Sequence, residues 1–327
     1  MKRGHAQCPW LWRARMGRGC SAAVVACALL GCGSGEDGQQ FNQTATPPAQ
    51  VDTALPIAPG VSTSVQLGGR RFLLYVPSSL ASSSTAAVPL VLMLHGYGAT
   101  PEQTQAYDTL FRWNELAESE YFIVAYPASD GPAWNACGGS DADLQFLDRL
   151  VQAVAAAYPI DRKRIFAAVH SQGGLMAVRL ALDRGATVSA VMANAAPAAA
   201  CGAGGAPVPV MLSYGTADPL VPYASNAQAM LDFWLAHNLP HDWLSDPPAV
   251  LLLADKVPED LSTIEQSLYT AQPGSADVQF WRVNGAGHAW PNPTAYSPAL
   301  QAQFGRRNQD VDGADAAWAF FKRHPLP

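Results

Sequence analysis

The chain has 327 residues, 49% of them hydrophobic and only 14% charged, with a net charge of −6. That length supports one large core, and the composition excludes a disordered or collagen-like chain. The negative balance excludes a polyanion binder, so no nucleic-acid partner is expected.

The N-terminus reads as a targeting segment. Arg13, Arg15 and Arg18 precede the apolar run Ala22-Ala23-Val24-Val25-Ala26-Cys27-Ala28-Leu29-Leu30, too short for a stable bilayer anchor but of h-region length. The run ends in Leu29-Leu30-Gly31-Cys32, which resembles the lipobox of bacterial lipoproteins, with Cys32 as the lipidated residue. Residues 1–31 are therefore expected to be a lipoprotein-type signal peptide, with an ordinary cleaved secretory signal as the alternative. Initiation at Met16 in place of Met1 would give a more ordinary basic region. Export follows, with the membrane contacted only through the lipid anchor, facing periplasm or cell exterior. Of the 20 basic residues, five lie within 1–31, which has no acidic residue; the remainder carries 15 basic against 26 acidic side chains. Cys8, Cys20 and Cys27 leave with the signal. Cys137 and Cys201 remain, and an even pair in an exported protein points to a disulfide, against the alternative of two separately buried thiols.

Residues 32–60, rich in Gly, Ser, Gln, Thr and Pro, read as a flexible tether, and 61–327 as one catalytic domain. In chain order, strands are expected over 71–76 and 90–94, a helix over 101–119, and a strand over 121–126. A Gly/Pro/Trp loop then runs to Gly139. A helix over 141–158 has apolar positions at Leu144, Leu147, Val151 and Val154. The apolar run 164–169 ends abruptly at His170-Ser171-Gln172-Gly173-Gly174, and a helical pattern begins at once. Strands follow at 188–193, 208–214 and 278–283, with helices at 224–237 and 314–322. Residues 239–275 read as an irregular insertion. Repeated βα alternation with continuous apolar strands implies a doubly wound, mostly parallel sheet.

A serine at a sharp strand-to-helix corner is the nucleophile elbow of an α/β-hydrolase. Ser140, by comparison, follows a Gly-rich loop and not a strand. The elbow pattern G-x-S-x-G has Val169 in its first position. A valine there is expected to crowd a neighbouring element or to hold the serine off its best angle, so that Val169→Gly would raise kcat. In this fold the triad order is Ser, acid, His, on loops after later strands. After 208–214 comes Gly215-Thr216-Ala217-Asp218-Pro219, and after 278–283 comes Asn284-Gly285-Ala286-Gly287-His288. Asp218 alone also suits a turn, and His288 alone a structural hydrogen bond. Together, and in this order, they make Ser171 the expected nucleophile, His288 the base and Asp218 its orienting acid. Leu94-His95-Gly96-Tyr97-Gly98 matches the H-G-x-G element of esterases, which assigns the oxyanion hole to the amides of Tyr97 and Gln172. His95 and His170 are expected to orient their loops.

These pieces resemble the polyhydroxybutyrate depolymerase and feruloyl or acetylxylan esterase group of carbohydrate esterase family 1 and its relatives. The matching residues are Leu94-His95-Gly96, Tyr126-Pro127 with Trp134 and Cys137, and Ile160 to Gly174. The Gly215 to Tyr223 loop and Gly287-His288-Ala289-Trp290-Pro291 complete the set. The resemblance implies an α/β-hydrolase fold and an ester substrate, polymeric polyester or polysaccharide ester, with no cofactor. It also places Tyr97, Trp134 and Trp290 beside the serine, where substrate lining and core packing explain the aromatics equally well. The histidines are scattered without ligand spacing, so no metal is expected. The expectation is an exported serine esterase. The rivals are a catalytically weak surface-binding lipoprotein and a peptidase of the same fold.

Overall fold

A computed structural model of the chain describes residues 55, 58–80, 86–106, 112–199, 201–239, 248–271 and 273–327. The signal peptide, Met16, Cys32 and the tether as far as residue 54 lie outside the described residues.

Among the described residues the strands are β1 (Ser62–Leu67), β2 (Arg70–Tyr75), β3 (Val88–Leu94), β4 (Ile123–Pro127), β5 (Ile160–His170), β6 (Ala190–Asn194), β7 (Val210–Gly215), β8 (Ala249–Leu252), β9 (Thr263–Tyr269) and β10 (Val278–Asn284). They form one sheet in the order β1-β2-β4-β3-β5-β6-β7-β10-β9-β8. The centre, from β4 to β10, is parallel. Antiparallel strands close both sides. The helices are α1 (Pro101–Ala106), α2 (Trp113–Glu120), α3 (Ala142–Ala157), α4 (Gly173–Arg184), α5 (Tyr223–Asn238), α6 (Pro298–Phe304) and α7 (Gly313–Lys322).

Central strands buried on both faces are almost wholly apolar; β3 and β6 are buried throughout, and β6 ends in the polar Asn194. The pleat sends alternate residues to two cores. Leu90, Leu92 and Leu94 of β3 and Ile165, Ala167 and Val169 of β5 join the core that holds residues of α3, α4 and α5. Val91, Met93, Phe166 and Ala168 face the other, built around Trp113, Trp318 and Phe321 of α2 and α7. Helix α7 is capped by Asp312, whose side chain accepts from the amides of Ala314 and Asp315 and pairs with Arg112 at 2.8 Å.

Four segments differ from the sequence reading. The single helix expected over 101–119 is broken, because Arg112 is left-handed (φ 56°) and cannot sit inside an α-helix. The insertion expected over 239–275 supplies β8 and β9, which extend the sheet. Along β9 only Ile264 is buried, so the apolar alternation that marks a strand is nearly absent. Strand β1 and helix α6 went unread for the same reason: β1 buries only Val65 and Leu67, and α6 has no buried residue.

Cys137, in the loop between β4 and α3, is disulfide-bonded to Cys201, with Cα atoms 4.8 Å apart and a sequence separation of 64. Closing a loop of that length removes roughly 4 kcal/mol of chain entropy from the unfolded state. Replacing both cysteines by serine should therefore lower the calorimetric Tm by several degrees, and peptide mapping after periplasmic expression should recover the linked pair. Free thiols at both positions would refute the bond.

Candidate active site

Strand β5 runs straight into α4, and the chain turns at Ser171, which takes φ 55°. A non-glycine residue in this left-handed region is strained and persists only where its surroundings dictate it. Here the Ser171 amide donates to Asn194 O at 2.9 Å, and the Gly174 amide donates to Ser171 O at 2.8 Å. Glycines make the room. A Cβ on Gly173 would stand 2.7 Å from His95 O and 2.9 Å from Leu94 O, and one on Gly96 would stand 3.2 Å from Ser171 Cβ. The β3 loop therefore passes directly against the serine: a larger residue at 173 would clash with its backbone, and one at 96 would press on Ser171.

Asp218 and His288 lie on the loops after β7 and β10, two strands paired in register up to Gly215 and Val283. A Cβ on Gly215 would collide with the carbonyls of Ala286 and Gly287, so the two loops touch through glycine. Asp218 Oδ1 accepts from the amides of Leu220 and Val221, both at 2.8 Å. Its Oδ2 lies 2.7 Å from His288 Nδ1. A carboxylate so held accepts the hydrogen bond of Nδ1–H and leaves Nε2 as the acceptor. Both side chains are almost wholly buried, so this bond works in a low dielectric. Ser171 and His288 line one cavity of about 510 Å³.

His95 stands with its Nδ1 2.7 Å from Gly96 O, and its Nε2 accepts from the Ser129 amide at 3.1 Å. Burial pushes its pKa below the ordinary imidazole value, in keeping with a neutral ring in that tautomer. It orients the loop, as expected. Tyr97 and Gln172 both line the cavity. Trp134 does not. It is 3% exposed and its indole N–H donates to His95 O at 3.0 Å, so it props the loop and lines no substrate space. Trp290 is also corrected: it is fully buried in the α2/α7 core, edge-on to Trp113 at 6.4 Å. Large indoles next to catalytic motifs in sequence can point away from the site, and these two do.

The side chains that do line the cavity include Leu220, Pro197, Tyr296 and Phe304. Tyr296 and Phe304 were missed because they flank or belong to α6, whose sequence carries no apolar period. The Phe304 ring lies 6.3 Å from the His288 ring, nearly parallel to it, and its carbonyl accepts from the His288 amide.

Val169 was expected to crowd the elbow. It is instead fully buried, and Ser171 keeps its left-handed turn beside it. Leu94 of β3 and Ala193 of β6 pair with it on either side, and its Cγ2 lies 3.9 Å from where a Cβ on Gly174 would stand. Val169→Gly should therefore cost about 2–4 kcal/mol in denaturant unfolding and leave kcat within a few-fold, reversing the expectation from sequence. A large rise in kcat would restore it.

His170 packs its ring 4.7 Å from that of His288, with Nε2 3.1 Å from the His288 carbonyl. Burial, and then the neighbouring His288, push its pKa down to about 3. The unfolded chain takes up this proton near pH 6.5 while the folded one stays neutral, so stability is complete above pH 6.5 and falls on acidification toward pH 3. His170→Gln should flatten the stability–pH slope between pH 6 and 4 by up to ~1.4 kcal/mol per unit. Parallel slopes for the two proteins would show that His170 titrates normally.

A model described as the alpha/beta hydrolase family matches residues 91–299. A protein named as an esterase, NocK of Nocardia uniformis subsp. tsuyamanensis, is 28% identical over 260 residues, covering 71% of this chain and 73% of its own. A bifunctional acetylxylan esterase/xylanase of Neocallimastix patriciarum is 32% identical over 162 residues, which is 48% of this chain and 23% of that protein. Among solved structures, the acetyl xylan esterase from Aspergillus awamori superposes with a TM-score of 0.58 at 16% identity, over 80% of this chain and 99% of its own. The elbow at Ser171, the loops after β7 and β10, and the family match over most of the described domain agree, and the chain belongs to the alpha/beta hydrolase family.

Proposed function

We propose that the protein is a serine esterase that hydrolyses carboxylic esters through an acyl-enzyme. The observation that carries this reading is the shared cavity of Ser171 and His288, with His288 held by Asp218 at 2.7 Å. Ser171 Oγ attacks the acyl carbon and gives its proton to His288 Nε2. Asp218 keeps the Nδ1 tautomer and stabilises the imidazolium. The amides of Tyr97 and Gln172 receive the oxyanion, a donation worth on the order of 10²–10³ in rate per donor. His288 then protonates the departing alcohol, and water enters to release the acid by the reverse sequence.

The cavity wall of Pro197, Leu220, Tyr296 and Phe304 suits an apolar acyl group. Relatives named for acetylxylan favour a polysaccharide ester, and polyhydroxybutyrate-type polyester is the other substrate the motifs suggest. Export with a lipid on Cys32 would place the enzyme where such polymers are met.

Ser171→Ala should abolish hydrolysis of p-nitrophenyl acetate and butyrate and block fluorophosphonate labelling; a labelled alanine variant would exclude Ser171 as the nucleophile. Asp218→Ala and His288→Ala should each lower kcat by about 10³–10⁴-fold, and the double change should add little, because the triad acts as a unit. Additive losses would place one residue outside it. Among polymer substrates, release of acetate or ferulate from xylan should exceed release of hydroxybutyrate. For export, radiolabelled palmitate should enter the full chain and fail to enter Cys32→Ser; equal labelling would dismiss the anchor.

A further inference from the structure

The two amides assigned to the oxyanion come from separate elements, the loop after β3 and the first turn of α4. Both are fastened to the same third element, the loop between β4 and α3. Gln172 is the clearest case. It sits at the N-cap of α4, yet its side chain makes no cap. Its Oε1 accepts from the Trp134 amide at 2.9 Å, and its Nε2 donates to the Trp134 carbonyl at 2.9 Å. A side-chain amide paired both ways with the backbone of one residue is fixed in rotation, and it ties the first turn of α4 to Trp134.

The same loop grips the other donor. The Trp134 indole donates to His95 O, the ring lies 4.9 Å from the His95 imidazole, and Pro132 O accepts from the Gly98 amide at 2.7 Å. These contacts bracket Gly96 and Tyr97 from both sides. The loop is itself anchored. Asp143 accepts from the amides of Asp130 and Asn135, Arg179 donates to Ala136 O at 3.0 Å, and Cys137 carries the disulfide. On the loop side of this frame, Pro132, Trp134, Cys137, Asp143 and Arg179 are absent from the cavity lining, so the loop acts on the donors from behind.

We propose that Gln172, through its side chain, and Trp134 are positioning residues that hold the two oxyanion donors in one rigid frame built on the 128–141 loop. The proposal rests on the esterase reading above, in which the Tyr97 and Gln172 amides bind the oxyanion. A donor that is displaced but not deleted loses part of its effect, and misplacement of order 1 Å can cost about 10²-fold.

Two substitutions test the frame. Gln172→Met keeps length and volume and removes both bonds to Trp134. Trp134→Phe keeps a buried ring and removes the bond to His95 O. Each should lower kcat on p-nitrophenyl butyrate by roughly 10–100-fold, with KM within about twofold and Tm within a few degrees. The inhibition constant of a phenylboronic acid, whose tetrahedral adduct occupies the same hole, should rise by a similar factor. Fluorophosphonate should still label Ser171 in both variants. Unchanged kcat and boronate affinity would overturn the proposal. So would losses that track a falling Tm and a rising KM, which is what a merely structural role produces. If Gln172→Met fails to fold, Trp134→Phe decides the question alone. Should the unaltered protein neither hydrolyse esters nor take the label, the esterase reading itself fails and the frame with it.

Discussion

Ser171 occupies a left-handed backbone at the end of a buried strand, and the rest of the site is arranged to hold it there. Such a conformation costs on the order of 1–2 kcal/mol for a residue with a Cβ, so the structure around it must over-determine it. Three things do so. The Ser171 amide is tied to β6 through Asn194, α4 starts on its carbonyl, and Gly96 and Gly173 let β3 come within van der Waals distance. Remove the glycines and the β3 loop cannot reach the serine. Relax the turn and the hydroxyl drops from the top of the sheet.

The parallel centre of the sheet then sets where everything else arrives. Loops after β3, β5, β7 and β10 all emerge at the carboxyl edge, and each brings one part of the site. Strand pairing fixes their spacing to within the pleat. β7 and β10 are in register up to Gly215 and Val283, which puts the Asp218 and His288 loops back to back. Close approach again depends on glycine: Gly215 lets the two loops touch, and Gly287 lets the chain at Phe304 and Gly305 pass against the His288 loop.

Beside this core two histidines are kept neutral by burial. His95 and His170 both have their pKa lowered by burial, and each sits against a backbone carbonyl. Neutral imidazoles brace their loops without placing a second buried charge beside His288. Glu and Asp side chains further out are held by arginines and by backbone amides, as in the Arg70–Asp143 pair beneath the 128–141 loop. The catalytic edge is thus stiffened by hydrogen bonds from behind, leaving an apolar wall toward the substrate.

Much of this was legible in the chain itself. Continuous apolar runs announced the parallel strands, because burial on both faces forbids alternation. The abrupt change from a β-prone run to His-Ser-Gln-Gly-Gly announced the elbow, because a strained turn needs glycine beside it. Asp218 and His288 were readable from glycine-rich loops placed after strands. The half-exposed edge was not legible: β1, β8, β9 and α6 bury too few side chains to leave a period in the sequence. Nor could the sequence say which way Trp134 and Trp290 point, since proximity along the chain does not decide the side of a loop. Only the tertiary structure turned both indoles inward, brought Tyr296 and Phe304 to the cavity, and buried Val169 between Leu94 and Ala193. Local chemistry along the chain determined the motifs; the packing of distant segments decided what surrounds them.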